Sequence, residues 1–192
     1  MPLYTPDYFH FPEDKTDWFI NEEQYDLIIA PDAASFDGKF MRQLQEIGTE
    51  VLCLDHHTLP DDYDMGKETP SNAIVINNQL SPNYPNKSLC GAGVVYKFCE
   101  VLDDILGINL ANEFIDLAAL GEIADVMNRC DVETNYIIME GLRNIKNEGL
   151  IALIEAQSYS LKERAQYPYN GLTPIDIAFY IAPLINAIIR VG

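Results

Sequence analysis

A chain of 192 residues with 48% apolar and 22% charged side chains is sized for one well-buried globular domain, with room for a fragment of a second. Its formal net charge of −18, from 30 acidic against 12 basic residues, excludes sequence-independent nucleic-acid binding by a broad basic face, which needs clustered Lys and Arg. The imbalance is uneven: residues 1–70 carry 16 acidic and 4 basic side chains while residues 71–192 carry 14 and 8, so a phosphate-facing surface is expected in the second part.

Residues 1–24 mix prolines, aromatics and acids without a period and read as an irregular lead-in. Tyr25 to Ala30 is a short apolar strand, followed by Pro31 and Asp32. Phe36, Phe40, Leu44 and Ile47 share one helical face, and Val51 to Leu54 form a second buried strand that runs into Asp55-His56-His57. Strand, helix and strand make one βαβ crossover. A polar loop with Pro60, Asp61, Asp62 and Pro70 leads to a third strand at Ala73 to Asn77, and a longer loop covers residues 78–89.

From Gly91 the pattern turns helical. Val95, Phe98, Cys99, Leu102 and Leu106 keep helical spacing up to a stop at Gly107, and Phe114, Leu117, Ala118 and Gly121 mark a second helix with Asp125 at its end. Further helices are expected at about 133–146 and 148–157, and Thr173-Pro174 is a start signal for a last one, over 173–192. The predicted class is therefore α/β: a parallel sheet of short strands flanked by helices, passing into a mainly helical second half.

Open α/β sheets bind ligands outside the carboxyl ends of their strands, so two neighbouring parallel strands would bring Asp32 beside Asp55 and His56. Carboxylate with neutral imidazole suits Mn²⁺, Fe²⁺ or Zn²⁺ better than Ca²⁺, although a His-His pair at a strand end is also compatible with a plain hydrogen-bonded turn. Asp125 opposes the helix dipole by about 0.3–1 kcal/mol, a penalty that a bound cation would reverse. Gly91-Ala92-Gly93 opens a helix, where exposed N–H groups can take a phosphate oxygen, but two glycines are equally what a tight turn requires. Asn186 and Arg190 lie four apart, on one helical face, where Arg190 could meet a phosphate. The four cysteines, Cys53, Cys90, Cys99 and Cys130, lack C-x-x-C spacing and read as small buried hydrophobes of a reducing compartment. No apolar run reaches bilayer length and the N-terminus does not have the form of a signal peptide, so a cytoplasmic location without a membrane partner is expected.

These pieces, in this order, resemble the DHH phosphoesterase superfamily, and within it the RecJ-type single-stranded-DNA-specific exonucleases, over residues 25–192. The matching segments are Leu27-Ile-Ile-Ala-Pro-Asp32, Asp55-His56-His57-Thr58-Leu59-Pro60, Ala73-Ile-Val-Ile-Asn77 with Tyr84-Pro85-Asn86-Lys87, Leu89-Cys-Gly-Ala-Gly-Val-Val-Tyr-Lys-Phe98, Leu117-Ala-Ala-Leu-Gly-Glu-Ile-Ala-Asp-Val126 and Ile181-Ala-Pro-Leu-Ile-Asn-Ala187. The resemblance implies a two-metal phosphoesterase using Mn²⁺ or Mg²⁺. Asp32 would bridge the metals, His56 and Asp125 would complete the shell of one, Asp55 would orient the imidazole and His57 would face the scissile phosphate. Gly91, Gly93, Asn186 and Arg190 would assist the phosphate. The implied reaction is removal of nucleotides from the 5′ end of single-stranded DNA, with single-strand-binding or replication and repair proteins as partners.

The departures carry expectations too. The family's first motif, a strand ending in Asp-x-Asp, is not found in the 24 residues before the Asp32 strand, and Asp62-Tyr63-Asp64 has the letters but follows the histidines in a loop. One metal shell is thus largely complete, and the other keeps little beyond Asp32. Glu122 stands where RecJ-type sequences have a small polar residue, and Leu184 where arginine is usual. The segment reads as an internal portion of a larger protein, with the linker to a second domain starting at 173–192 and weak or no activity alone. The other readings are a small-substrate DHH phosphoesterase acting on oligonucleotides or cyclic dinucleotides, and a non-catalytic scaffold of the same fold.

Overall fold

The computed structural model describes residues 25–162 and 171–191, and the lead-in expected at 1–24 lies outside them. The chain divides into two compact units at the Lys87–Ser88 bond.

The first unit is built on three parallel strands, β1 (Leu27–Pro31), β2 (Glu50–Asp55) and β3 (Ala73–Asn77), lying side by side in that order. Register sets Ile29 against Leu52 and Leu52 against Ile74, so alternate residues share a face across all three strands. One face, with Ile28, Ala30, Val51, Cys53, Ala73 and Val75, packs on helix α1 (Gly38–Glu46) through Phe40, Met41 and Leu44. These are the apolar positions of the helical repeat read from sequence, and their burial is what holds the crossover to the sheet.

Between β2 and β3 the sequence suggests only a polar loop, but a four-residue helix, α2 (Met65–Glu68), forms there. Asp64 caps it by accepting the Gly66 N–H at 3.1 Å, so the Asp-x-Asp letters at 62–64 include a helix cap. Arg42 on α1 donates to the Glu68 carbonyl at 2.7 Å and to its carboxylate at 2.8 Å, and Asn72 Nδ2 donates to the Thr49 carbonyl at 2.7 Å. The connection is thereby pinned to the elements on either side of it.

The second unit is helical: α3 (Gly91–Leu106), a 3₁₀ turn (Ala111–Phe114), α4 (Ile115–Ala124), α5 (Val132–Arg143), α6 (Glu148–Ala156), α7 (Ser158–Lys162), α8 (Pro174–Asp176), a π-helical turn (Ile177–Ile181) and α9 (Ala182–Val191). Its core includes Ile123, Ile138, Leu142, Leu150, Ile177 and Ile181. The start and stop signals act as read: Gly107 ends α3 at φ 68°, and Thr173 forms a capping box with Asp176. Inside the last helix the π turn, which sequence did not suggest, replaces regular α geometry. Among the described residues no helix is long and apolar enough to cross a membrane.

Polar side chains lock these helices together from inside. The buried Asp116 on α4 accepts the Lys146 and Asn147 N–H groups at 2.8 and 2.7 Å, fixing the entry to α6. Glu122, also on α4 and without solvent contact, accepts the Cys90 N–H at 3.3 and 3.4 Å just before α3 begins. The space for its carboxylate exists because Gly93 has no side chain, and a Cβ there would collide with Glu122 Oε1.

Two outcomes test this packing. Gly93→Ala is expected to destabilise the fold by about 1–3 kcal/mol in urea unfolding, the range for overpacked cores. Most of that penalty should vanish in a Glu122→Ala background, which a double-mutant cycle reads directly. The cysteines divide by burial: burial, with the Asp55 charge second, raises the Cys53 thiol to about 12, while burial and Glu122 raise Cys90. Cys130 is exposed, contrary to its sequence reading as a buried hydrophobe. Alkylation of the folded protein at pH 8, followed by mass spectrometry, is expected to mark Cys130 and to spare Cys53 and Cys90 until the chain unfolds.

Candidate metal centre

Parallel pairing of β1 with β2 puts the residues just past their carboxyl ends next to each other. Asp32 donates its N–H to the Leu54 carbonyl at 2.8 Å, continuing the ladder by one step, and its Oδ1 lies 3.3 Å from His56 Nε2. Asp32 is itself exposed, so the carboxylate faces outward from the strand end.

The turn that carries it is unusual. Asp32 and Ala34 both have positive φ, 60° and 74°, in the left-handed region that costs a side chain about 1–2 kcal/mol. Ala34 has no solvent contact and belongs to the α1 core, which holds the turn in place. The result is that the Ser35 N–H points at the end of β2, where it meets Asp55 Oδ2 at 3.1 Å.

Asp55 has no exposed surface. Its Oδ1 accepts the His56 N–H at 2.8 Å, the His57 N–H at 3.3 Å and, at 2.6 Å, His57 Nδ1. Burial alone would raise the Asp55 pKa, but the hydrogen bonds from Ser35, His57 and His56, with the His57 charge, outweigh it and hold the carboxyl below its usual range. An ionised Asp55 accepts only, so His57 Nδ1 carries the proton shared with Oδ1 and Nε2 is the ring nitrogen left for other partners. The imidazole that Asp55 holds is thus that of His57. The two imidazoles stand 4.5 Å apart, centroid to centroid.

Two residues that the sequence reading passed over complete this network. Asn77, the last residue of β3 and in register with Asp55, donates to Ser35 Oγ and to the His57 carbonyl, both at 2.9 Å. Ser35 Oγ also lies 3.8 Å from Cys53 Sγ, which contacts the Ala33 carbonyl at 2.9 Å. The signal for Asn77 was the one that marked Asp55, a polar residue closing an apolar strand. Ser35 had none, because its part depends on the backbone of a loop.

Asp32, His56 and His57 each offer one ligand atom, and these atoms all lie within 4.8 Å of one another. One carboxylate with two imidazoles suits a borderline cation such as Mn²⁺, whereas Mg²⁺ prefers oxygen and would lean on Asp32 and water. The three donors therefore fit a divalent transition metal.

The other predicted site residues belong to the second unit. Asp125 follows α4 directly and donates its N–H to the Gly121 carbonyl at 2.9 Å, and Val126 after it has φ 56°. Gly91 and Gly93 open α3 as expected, but the hollow at Gly93 is filled by the chain's own Glu122 carboxylate. Asn186 is exposed on α9, and the Arg190 side chain lies outside the described residues.

Comparison with known proteins places this geometry. The DHH family, N-terminal domain, matches residues 4–122. The YorK protein of Bacillus subtilis strain 168 is 41% identical over 170 residues, spanning 88% of this chain and 27% of that protein. The single-stranded-DNA-specific exonuclease RecJ of Thermus thermophilus is 35% identical over 178 residues, with 88% and 23% covered. A crystal structure of exonuclease RecJ bound to manganese superposes with a TM-score of 0.68 at 29% identity, over 95% of this chain and 42% of that one. The Mn²⁺ complex of Thermus thermophilus RecJ gives 0.65 at 30% identity, over 94% and 25%. This chain spans about a quarter of the length of those curated relatives. With a parallel sheet ending in Asp-His-His and a family match over more than half its residues, the chain belongs to the DHH family.

Proposed function

We propose that this chain is the core of a metal-dependent phosphodiesterase domain that removes nucleotides from the 5′ end of single-stranded DNA, using Mn²⁺ or Mg²⁺. The observation that carries the proposal is the Asp32, His56 and His57 cluster at the strand ends, with Asp55 buried behind it. The names of the RecJ relatives, and the manganese in the crystal structures similar to this one, support the substrate and the metal.

A bound divalent metal would supply Lewis acidity toward a phosphate oxygen and lower the pKa of water at the site. Asp32 and His56 would hold it from the ends of β1 and β2. His57, with Nδ1–H fixed on Asp55, would present Nε2 to the scissile phosphate or to the metal. Asp55 would keep that ring in one tautomer and one orientation, as carboxylates behind ligating histidines do. The sequence resemblance adds Asp125 as a further ligand.

Titrating Mn²⁺ into the chain by calorimetry is expected to show binding that His56→Ala abolishes. Absence of heat from the unaltered chain would instead favour the non-catalytic scaffold. In the full parent protein, Mn²⁺-dependent degradation of 5′-phosphorylated single strands should be lost in His56→Ala and in Asp125→Ala. Activity unchanged by His56→Ala would overturn the proposal. Asp55→Asn removes the charge that fixes His57 and is expected to lower metal affinity or activity by about 10–100-fold without unfolding the protein.

A further inference from the structure

Of the basic side chains described in the second unit, Lys97 is paired with Glu100 and Glu133, Arg143 with Glu140 and Lys146 with Glu113. Arg129 is the exception. It is exposed and makes no ion pair or side-chain hydrogen bond among the described residues, although Asp125 and Asp131 lie within four positions of it in a chain of net charge −18. The loop that carries it is fixed at both ends. The Val126 and Met127 N–H groups donate to the Ile123 and Glu122 carbonyls at 3.2 and 3.0 Å, the Cys130 N–H donates to Asn128 Oδ1 at 3.0 Å, and Asp131 caps α5 by accepting the Glu133 N–H at 3.1 Å. An exposed guanidinium on a fixed loop, with no carboxylate to satisfy it, is suited to an anion from outside.

The helix that follows presents an apolar and an aromatic side chain to water. Val132 is 85% and Tyr136 57% exposed, and four positions apart they share one face of α5, about 6 Å from each other along its axis. The carboxylates one turn to either side of Tyr136, those of Glu133 and Glu140, are taken up by Lys97 and Arg143. An open aromatic face, with an unpaired arginine nearby and its neighbouring acids neutralised, is the combination by which proteins hold single strands: a cation on the phosphate and a ring under the base. Stacking asks for no broad basic surface, which this chain lacks.

We propose that Arg129 and Tyr136 form a single-strand contact of the second unit, with Arg129 on a backbone phosphate and Tyr136 under a base. The contact rests on the phosphodiesterase reading above, in which Asp125, at the start of the same loop, is a metal ligand. It extends that reading from the scissile phosphate to the nucleotides beyond it.

Binding of a 3′-labelled, 5′-phosphorylated oligothymidine strand to the chain, read by fluorescence anisotropy without divalent metal, tests the contact. Tyr136→Ala is expected to weaken binding about 5-fold or more and Tyr136→Phe to restore it, because the ring stacks and the hydroxyl does not. Arg129→Gln should reduce the slope of log affinity against log salt by about 0.7, the share of one phosphate on a single strand. Arg143→Gln, the same loss of charge at the other end of α5, should leave that slope unchanged. An equal fall in both arginine variants would make net charge the cause and overturn the contact, as would Tyr136→Ala binding as tightly as the unaltered chain. Where Tyr136→Ala does not fold, a 5-bromouracil strand cross-linked to the unaltered chain decides: an adduct in the tryptic peptide 130–143 supports the contact, and adducts only elsewhere overturn it. Calorimetry with Mn²⁺ separates the contact from the function itself. A chain that binds Mn²⁺ but takes no strand, or loses no strand affinity in the variants, refutes the contact alone. Strand binding weakened by the variants in a chain that binds no Mn²⁺ keeps the contact and refutes the metal-dependent reading.

Discussion

A carboxylate withdrawn from water must collect hydrogen bonds or a counter-charge, because a bare buried ion costs several kcal/mol. Asp55 meets that demand from three directions. The β1–α1 loop gives the Ser35 N–H, the chain just past β2 gives the two histidine N–H groups, and the His57 ring gives Nδ1. The same bonds that make the buried charge tolerable fix the positions of both imidazoles. Stability and site geometry here rest on one group, and Asn77 extends the network to the third strand.

The loop that delivers Ser35 shows where local preference gives way. Two non-glycine residues at positive φ in three positions would not persist in an isolated peptide. Burial of Ala34 among Phe40, Met41 and Leu44 offsets that strain, and the turn leaves Asp32 beside His56. Strain of this kind gathers at functional sites when the surrounding core over-determines the backbone. Val126, the third non-glycine residue at positive φ among the described residues, follows Asp125 directly.

The start of α3 gives a contrasting case. A glycine-rich helix start is a ready anion site. In this chain Gly93 makes room for the Glu122 carboxyl group, which accepts the Cys90 N–H beside that helix start. Glycine in such a turn reports only that something approaches closely. Sequence leaves open whether the visitor is a ligand or a neighbouring helix.

Sequence by itself determined the order of the three strands and of the longer helices, the parallel α/β class passing into helices, and the strand-end positions of Asp32, Asp55, His56 and Asn77. These follow from short-range causes: apolar periodicity, caps such as Thr173, stops such as Gly107, and the rule that strands present chemistry at their carboxyl ends. Tertiary structure decided which imidazole Asp55 holds, that Ser35 faces Asp55, and that the Gly93 hollow belongs to Glu122. Each of these is a contact between residues brought together by packing, or a backbone torsion enforced by a core. No local pattern of residue types encodes them, because the same letters tolerate several partners until the fold selects one.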